Sequence, residues 1–230
     1  MKAAFLRRAG DLYLEEVAKP ACVAGSILVQ VKEIGVCGSD LHYYNDGRIG
    51  DHIVTAPHIL GHEASGIVEE IGMDDSGFTV GDRVSIEPGI PCMSCESCRE
   101  GRYNLCVDVR FSGAPPYHGM FREYVLHDHR FLHKLPESVS FTQGALVEPL
   151  AVAHNAMRKA ALRAGDTVMI TGAGPIGLSC VEMARVAGAA RILVSEKSAH
   201  RRRAALELGA DFVLDPDEGQ LLSAIRDYTG

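Results

Sequence analysis

The sequence predicts an α/β protein in two parts: a loop-rich β domain over residues 1–150, then the first half of a doubly wound parallel sheet over residues 151–230. Three observations carry that expectation. Short apolar or alternating runs broken by Gly, Pro and Asp fill the first part, the texture turns helical from about Glu148, and beyond it strands alternate with helices. With 230 residues and 47% hydrophobic content, the chain has the length and apolar share to bury a core.

Taken in order, SILVQVKEI (26–34), ASGIVEEIG (64–72) and FREYVLH (121–127) have the period and turn-rich flanks of β-strands. PLAVAHNAMRKAAL (149–162) has the helical period instead. Then come strand TVMIT, a glycine turn, helix PIGLSCVEMARVAG, strand RILVSEK, helix HRRRAALELGA, strand DFVLD and helix QLLSAIRDY. That βαβαβα order opens a doubly wound sheet, and a dinucleotide fold needs a second such half.

The formal charge of −7 argues against a phosphate-backbone surface, so nucleic acid is not an expected partner. No stretch approaches the ~18 consecutive apolar residues of a membrane span, and MKAAFLRRAG lacks the apolar core of a signal peptide. A cytoplasmic protein without membrane attachment is expected. In that reducing setting, seven cysteines with a local cluster point to metal rather than to disulfides.

The cluster is Cys92, Cys95, Cys98 and Cys106, spaced C-x2-C-x2-C-x7-C within one loop. Four thiolates at such spacing suit a closed tetrahedral zinc site, whose task is to hold a loop rather than to do chemistry. Two disulfides or free thiols are the alternative. A second, dispersed set comprises Cys37, with Ser39, Asp40 and His42 close behind it, then His62, Glu63 and Glu148. Three protein ligands and an open position make a catalytic zinc site, and Glu148 falls at the domain junction where ligand sites form. Taken singly, each of these residues is equally an ordinary core or surface residue.

After TVMIT the chain reads Gly172-Ala173-Gly174-Pro175-Ile176-Gly177 and enters a helix. The strand before and the helix after give G-x-G-x-x-G its dinucleotide meaning: a tight turn, room for the pyrophosphate, and close helix packing. Free N–H groups at the helix start would face the phosphates. Glu196 closes the next strand, where an acid accepts hydrogen bonds from ribose hydroxyls, which favours NAD over NADP. Lys197 and Arg201 to Arg203 lie beside it, either to attract a phosphate or as a solvated basic face.

In this order GVCGSDLHYY, GRIG, ILGHEASGIVEEIG, GDRVSIEPG, the cysteine loop, GRYNLC, GALVEPLAV and GAGPIG resemble the zinc-containing medium-chain alcohol dehydrogenases, and within them the sorbitol (polyol) dehydrogenases. The resemblance implies a GroES-like catalytic domain over 1–150 followed by part of a Rossmann domain over 151–230. It implies catalytic zinc on Cys37 and His62, with Glu63 a direct ligand and Glu148 a ligand or water-holder, and structural zinc on the four-cysteine loop. Asp40 would orient His62, Ser39 would take the substrate proton and His42 would pass it to solvent. Tyr43 and Phe121 would wall the substrate pocket, or be core aromatics. Gly172, Gly174, Pro175, Ile176, Gly177, Glu196 and Arg201 would bind NAD. The implied reaction takes a hydride from a secondary alcohol of a polyol of the sorbitol or xylitol type to NAD, giving a ketose, in a homo-oligomer, dimer or tetramer. Threonine or 2,3-butanediol oxidation is the alternative within the family. Because members continue beyond the position of Gly230, the chain is expected to be truncated, and an inactive or cofactor-sensing zinc-binding fragment is the alternative from another class.

Overall fold

The computed structural model describes residues 1–218 and 221–229. By contact density the chain divides into two units, Met1–Glu148 and Pro149–Gly230.

In the first unit, β1 (Lys2–Arg8) and β2 (Asp11–Glu16) form an antiparallel hairpin. β3 (Ile27–Gly35) runs into α1 (Gly38–Asp46), followed by the two-residue strands β4 (Arg48–Ile49), β5 (His52–Ile53) and β6 (His58–Ile59), the last pairing with β1. Next come β7 (Glu63–Ile71), β8 (Arg83–Ile86), β9 (Gly89–Ile90), α2 (Glu96–Arg99) and β10 (Arg110–Phe111), then β11 (Tyr124–His127), β12 (Leu132–Lys134) and α3 (Phe141–Ala145). The main sheet is antiparallel throughout, in the order β11-β3-β7-β8-β12. Ile27, Val29, Val68, Val84, Ile86, Met120 and Val125 pack together within it. Each such side chain contributes about 1.5–3 kcal/mol by leaving water, set against the entropy of ordering it.

α1 departs from the strand-and-loop expectation. Its sequence, GSDLHYYND, has no apolar stripe for a periodicity reading to find. Capping builds it instead: the Asp40 carboxylate accepts the Cys37 N–H at 2.9 Å, satisfying a donor at the helix start. The short α3 likewise rests on a Ser140–Gln143 capping box.

His127, on β11, is 3% exposed and holds the Glu87 carbonyl through Nε2 at 2.9 Å. Burial pulls its pKa from 6.5 to about 4, with Arg110 adding to the fall and the Glu87 carbonyl bond, Asp128 and the Glu87 charge opposing it. The folded protein therefore binds this proton less readily than the unfolded chain. Stability from His127 is complete above about pH 6.5 and is lost as pH falls towards about 4, a swing of about 3 kcal/mol. Denaturant unfolding at several pH values should show this acid slope in the wild type and a flatter one in His127→Gln.

α4 (Val147–Lys159) begins at the end of the first unit, and most of it belongs to the second. There follow β13 (Thr167–Thr171), α5 (Pro175–Val186), β14 (Arg191–Ser195), α6 (Ala199–Glu207), β15 (Phe212–Leu214) and α7 (Leu221–Thr229). The three strands are parallel, in the order β13-β14-β15. Ile192, Leu193 and Val194 are consecutive and all at most 1% exposed, as a parallel strand covered on both faces requires. Ala153, Ala184 and Ala205 let helices approach that sheet closely. Gln220, read as the start of the last helix, lies outside the described residues. Among the described residues, no helix is long and apolar enough to cross a membrane.

Candidate metal sites and dinucleotide turn

Cys37 stands just outside α1 in extended backbone, and Asp40 fixes what surrounds it. Asp40 is 4% exposed; one carboxylate oxygen takes the Cys37 N–H at 2.9 Å, and the other takes the Gly61 N–H at 3.0 Å. One buried acid thus ties together the two backbone segments that carry Cys37 and His62. The His62 ring itself stands farther off, with Nδ1 at 3.9 Å from Asp40 Oδ1. Asp40 therefore acts on His62 through the backbone, not through a direct hydrogen bond to the ring.

Glu63 opens β7 directly opposite Gly35 at the end of β3. A β-carbon on Gly35 would lie 2.2 Å from Glu63 Oε2 and 3.1 Å from its Cβ, so glycine leaves the space the carboxylate occupies. The Cys37 sulfur, a His62 ring nitrogen and a Glu63 oxygen all lie within 4.8 Å of one another. Glu148 stands outside that tight set but feels it. Burial pushes its carboxyl pKa up, His62 pulls it down and Glu63 pushes it up further. Burial likewise raises the Cys37 thiol, with a hydrogen bond from Ser39 opposing and Glu63 adding. A half-buried thiol, a buried imidazole and two carboxyls are a donor set that a dication reconciles, and they fit zinc.

Ser39 is half-buried beside the Cys37 sulfur, while His42 is exposed and paired with Asp46 at 3.5 Å. Tyr43 is 5% exposed and packs with Leu6 and Leu60, the place of a core aromatic. Phe121 packs against the same cluster, with its ring against Gly61. Two neighbours had no signal in the sequence: Gly35, and Phe111, whose ring centre lies 5.4 Å from that of His62.

The four sulfurs of Cys92, Cys95, Cys98 and Cys106 also lie within 4.8 Å of one another. Cys92 and Cys98 stand 4.0 Å apart, far beyond the ~2.05 Å of a disulfide, and all seven cysteines are free thiols. Backbone N–H groups point at the sulfurs: those of Ser94 and Cys95 donate to Cys92 at 3.4 and 3.3 Å, and that of Cys92 donates to Cys106 at 3.2 Å. Hydrogen bonds from Ser94 and Cys95 lower Cys92 to about 6, while burial and the adjoining thiols push Cys98 up to about 12. Four thiols competing over protons, in a cradle of N–H donors, fit a closed zinc site.

In the second unit, β13 passes into Gly172 at φ +89°, and α5 starts at Pro175 with Gly174 as its N-cap. A β-carbon on Gly177 would lie 2.0 Å from the Gly172 carbonyl oxygen, whereas one on Gly174 would meet nothing within 4 Å. Ile176 is 41% exposed on the first helical turn. Both Glu196 oxygens meet backbone, accepting the Ala173 and Ser198 N–H groups at 2.8 Å each; these bonds, helped by Arg201, lower its pKa. Arg202 turns back onto the Glu196 and Lys197 carbonyls and Asp215, Lys197 pairs with Asp217 at 3.0 Å, and Arg201 is exposed.

Residues 23–137 match the family model of the alcohol dehydrogenase GroES-like domain, and residues 175–230 match that of zinc-binding dehydrogenase. Sorbitol dehydrogenase of Bacillus subtilis is 40% identical over 229 residues, covering 100% of this chain and 65% of that protein. The Gallus gallus sorbitol dehydrogenase is 44% identical over 212 residues, 92% of this chain and 60% of that protein. The chain thus spans less than two thirds of the length of these relatives. Among solved structures, the 2R,3R-butanediol dehydrogenase of Bacillus subtilis matches with a TM-score of 0.89 and 40% identity, over 100% of this chain and 67% of that one. Matched in both parts, the chain belongs to the zinc-containing medium-chain alcohol dehydrogenase family, in its sorbitol dehydrogenase branch.

Proposed function

We propose that the protein is a zinc- and NAD-dependent dehydrogenase that oxidises a secondary alcohol of a polyol to a ketose. The observation that carries this reading is the convergence of Cys37, His62 and Glu63 within 4.8 Å, in a chain resembling sorbitol dehydrogenases. Cys37, His62 and Glu63 hold the catalytic zinc, and Glu148 serves as a further ligand or orients a water beside it. Cys92, Cys95, Cys98 and Cys106 hold the structural zinc. When bound, zinc acidifies the substrate hydroxyl and the nicotinamide accepts the hydride.

The chain's own residues manage position and proton. Ser39, beside Cys37, accepts the hydroxyl proton, and His42, one turn on along α1 and exposed, passes it to solvent. Asp40 keeps the Cys37 and Gly61 segments in register. Gly172, Gly174, Pro175, Ile176 and Gly177 shape the pyrophosphate turn, and Glu196 exchanges its Ala173 bond for ribose hydroxyls, with Arg201 at the rim. A cytoplasmic setting suits seven cysteines with no disulfide among them, and a polyol is the expected small-molecule partner of a homo-oligomer.

Incubation of the protein with NAD and a panel of sorbitol, xylitol, 2,3-butanediol and threonine tests the proposal through NADH formation. Turnover with polyols above the others is the expected result, and none on any polyol would overturn it. The likeness to a butanediol dehydrogenase supports the second reading, a vicinal diol as substrate, and preference for 2,3-butanediol would select it.

Gly35→Ala probes the metal site without touching a ligand. The new β-carbon falls 2.2 Å from Glu63 Oε2 and 3.3 Å from Cδ, so the carboxylate must leave its place. Zinc affinity at this site should fall tenfold or more, as it does when ligand supports are lost, with the four-cysteine site still filled. Chelator competition on the purified protein reads both.

A further inference from the structure

The four cysteines sit on a lobe whose two ends pair as a short stem, Arg110 with Ile90 and Phe111 with Gly89, while its Tyr103 rests against Phe131. The last stem residue, Phe111, lies against the His62 ring, with centroids 5.4 Å apart and planes inclined by 57°. From there the chain turns back over the segment that leads into His62. A β-carbon on Gly113 would lie 3.1 Å from the Gly61 carbonyl oxygen, and one on Gly119 would lie 2.3 Å from that of Leu60. The contact is also bonded: the Gly119 N–H reaches the Ile59 carbonyl at 2.6 Å, the Met120 N–H reaches the Gly61 carbonyl at 2.9 Å, and His58 Nε2 lies 3.2 Å from the Gly113 carbonyl. Backbone pressed on backbone leaves no flexible side chain to absorb a shift of the stem.

We propose that the cysteine lobe positions His62 through Phe111, so that metal held by the four cysteines raises the affinity of the separate Cys37–His62–Glu63 site for its own metal. This rests on the reading of both clusters as zinc sites. An imidazole ligand must present its nitrogen at a set ring angle, and groups that fix the ring are worth 10–100-fold in metal affinity. Phe111 is such a positioning residue, supported from behind by the stem. By linkage the coupling is reciprocal, and metal at His62 strengthens metal in the lobe by the same factor.

The test uses the full chain, with zinc alone as titrant under chelator competition and Co2+ absorption as a second readout of the His62 site. Phe111→Ala should keep lobe zinc yet bind zinc at the His62 site about tenfold more weakly, with shifted Co2+ bands, and Phe111→Tyr should restore both. Should Phe111→Ala fail to fold, Phe111→Leu, apolar but without a ring, reads the same loss. Cys95→Ser, which removes one thiol of the lobe site and none of the Cys37–His62–Glu63 set, should weaken the His62 site as well, and combining it with Phe111→Ala should weaken that site no further than either alone. Unchanged affinity and Co2+ bands in Phe111→Ala, or losses that simply add in the double variant, would overturn the proposal. A wild-type chain that binds no metal at His62 overturns the underlying reading instead, and shows it before any substitution is made.

Discussion

His62→Ala is expected to lower polyol oxidation by about three orders of magnitude or more, while the four-cysteine site keeps its zinc. The size follows from several kcal/mol of charge stabilisation at the reacting oxygen, each 1.36 kcal/mol being tenfold in rate. The loss should be local. His62 is 7% exposed, but Asp40 grips the Gly61 backbone rather than the ring, so the segment stays anchored when the imidazole goes. Cys37→Ala should behave alike, because Asp40 bonds the Cys37 N–H and not its sulfur. Turnover with NAD and sorbitol, zinc content and circular dichroism check this together. Turnover retained within tenfold of wild type would remove His62 from the mechanism.

The second large effect is expected at the glycine turn, where two substitutions should separate stability from binding. A β-carbon on Gly177 meets the Gly172 carbonyl oxygen at 2.0 Å and its carbon at 2.9 Å, both backbone atoms. Gly177→Ala must therefore spread the turn from the helix, costing about 1–3 kcal/mol of stability as overpacking does, and NADH binding should become undetectable. Gly174→Ala points its β-carbon into open space and should leave stability within about 0.5 kcal/mol. It should still weaken NADH binding at least tenfold, because the methyl group fills the path of the pyrophosphate. Denaturant unfolding and NADH fluorescence titration distinguish the two. Equal stability losses in both variants would mean that neither glycine is shaped for a ligand.

The parallel half of the fold was legible because its signals are local. TVMIT, RILVSEK and DFVLD are short apolar strands between helical periods, and they appear as β13, β14 and β15. The thiol cluster is also local, its four sulfurs lying in one loop. Cys37, His62 and Glu63 are different: they meet because β3 pairs with β7 in the register that sets Gly35 opposite Glu63, and in the sequence only the family resemblance links them. α1 has no signal of that kind, because capping, not amphipathicity, builds it. Gly35 and Phe111 carry no motif. One matters for an atom it lacks and the other for a contact made across the fold. Tyr43 carries no local signal that separates a pocket wall from a core aromatic; its burial beside Leu6 and Leu60 is a property of the fold.

On the proposed function, one chain builds two zinc sites of different kinds, one to hold a loop and one to do chemistry. Zinc counted per chain by emission spectroscopy after exhaustive dialysis tests it most directly. The expected result is two zinc ions in the wild type and one in His62→Ala; one or none in the wild type would contradict it.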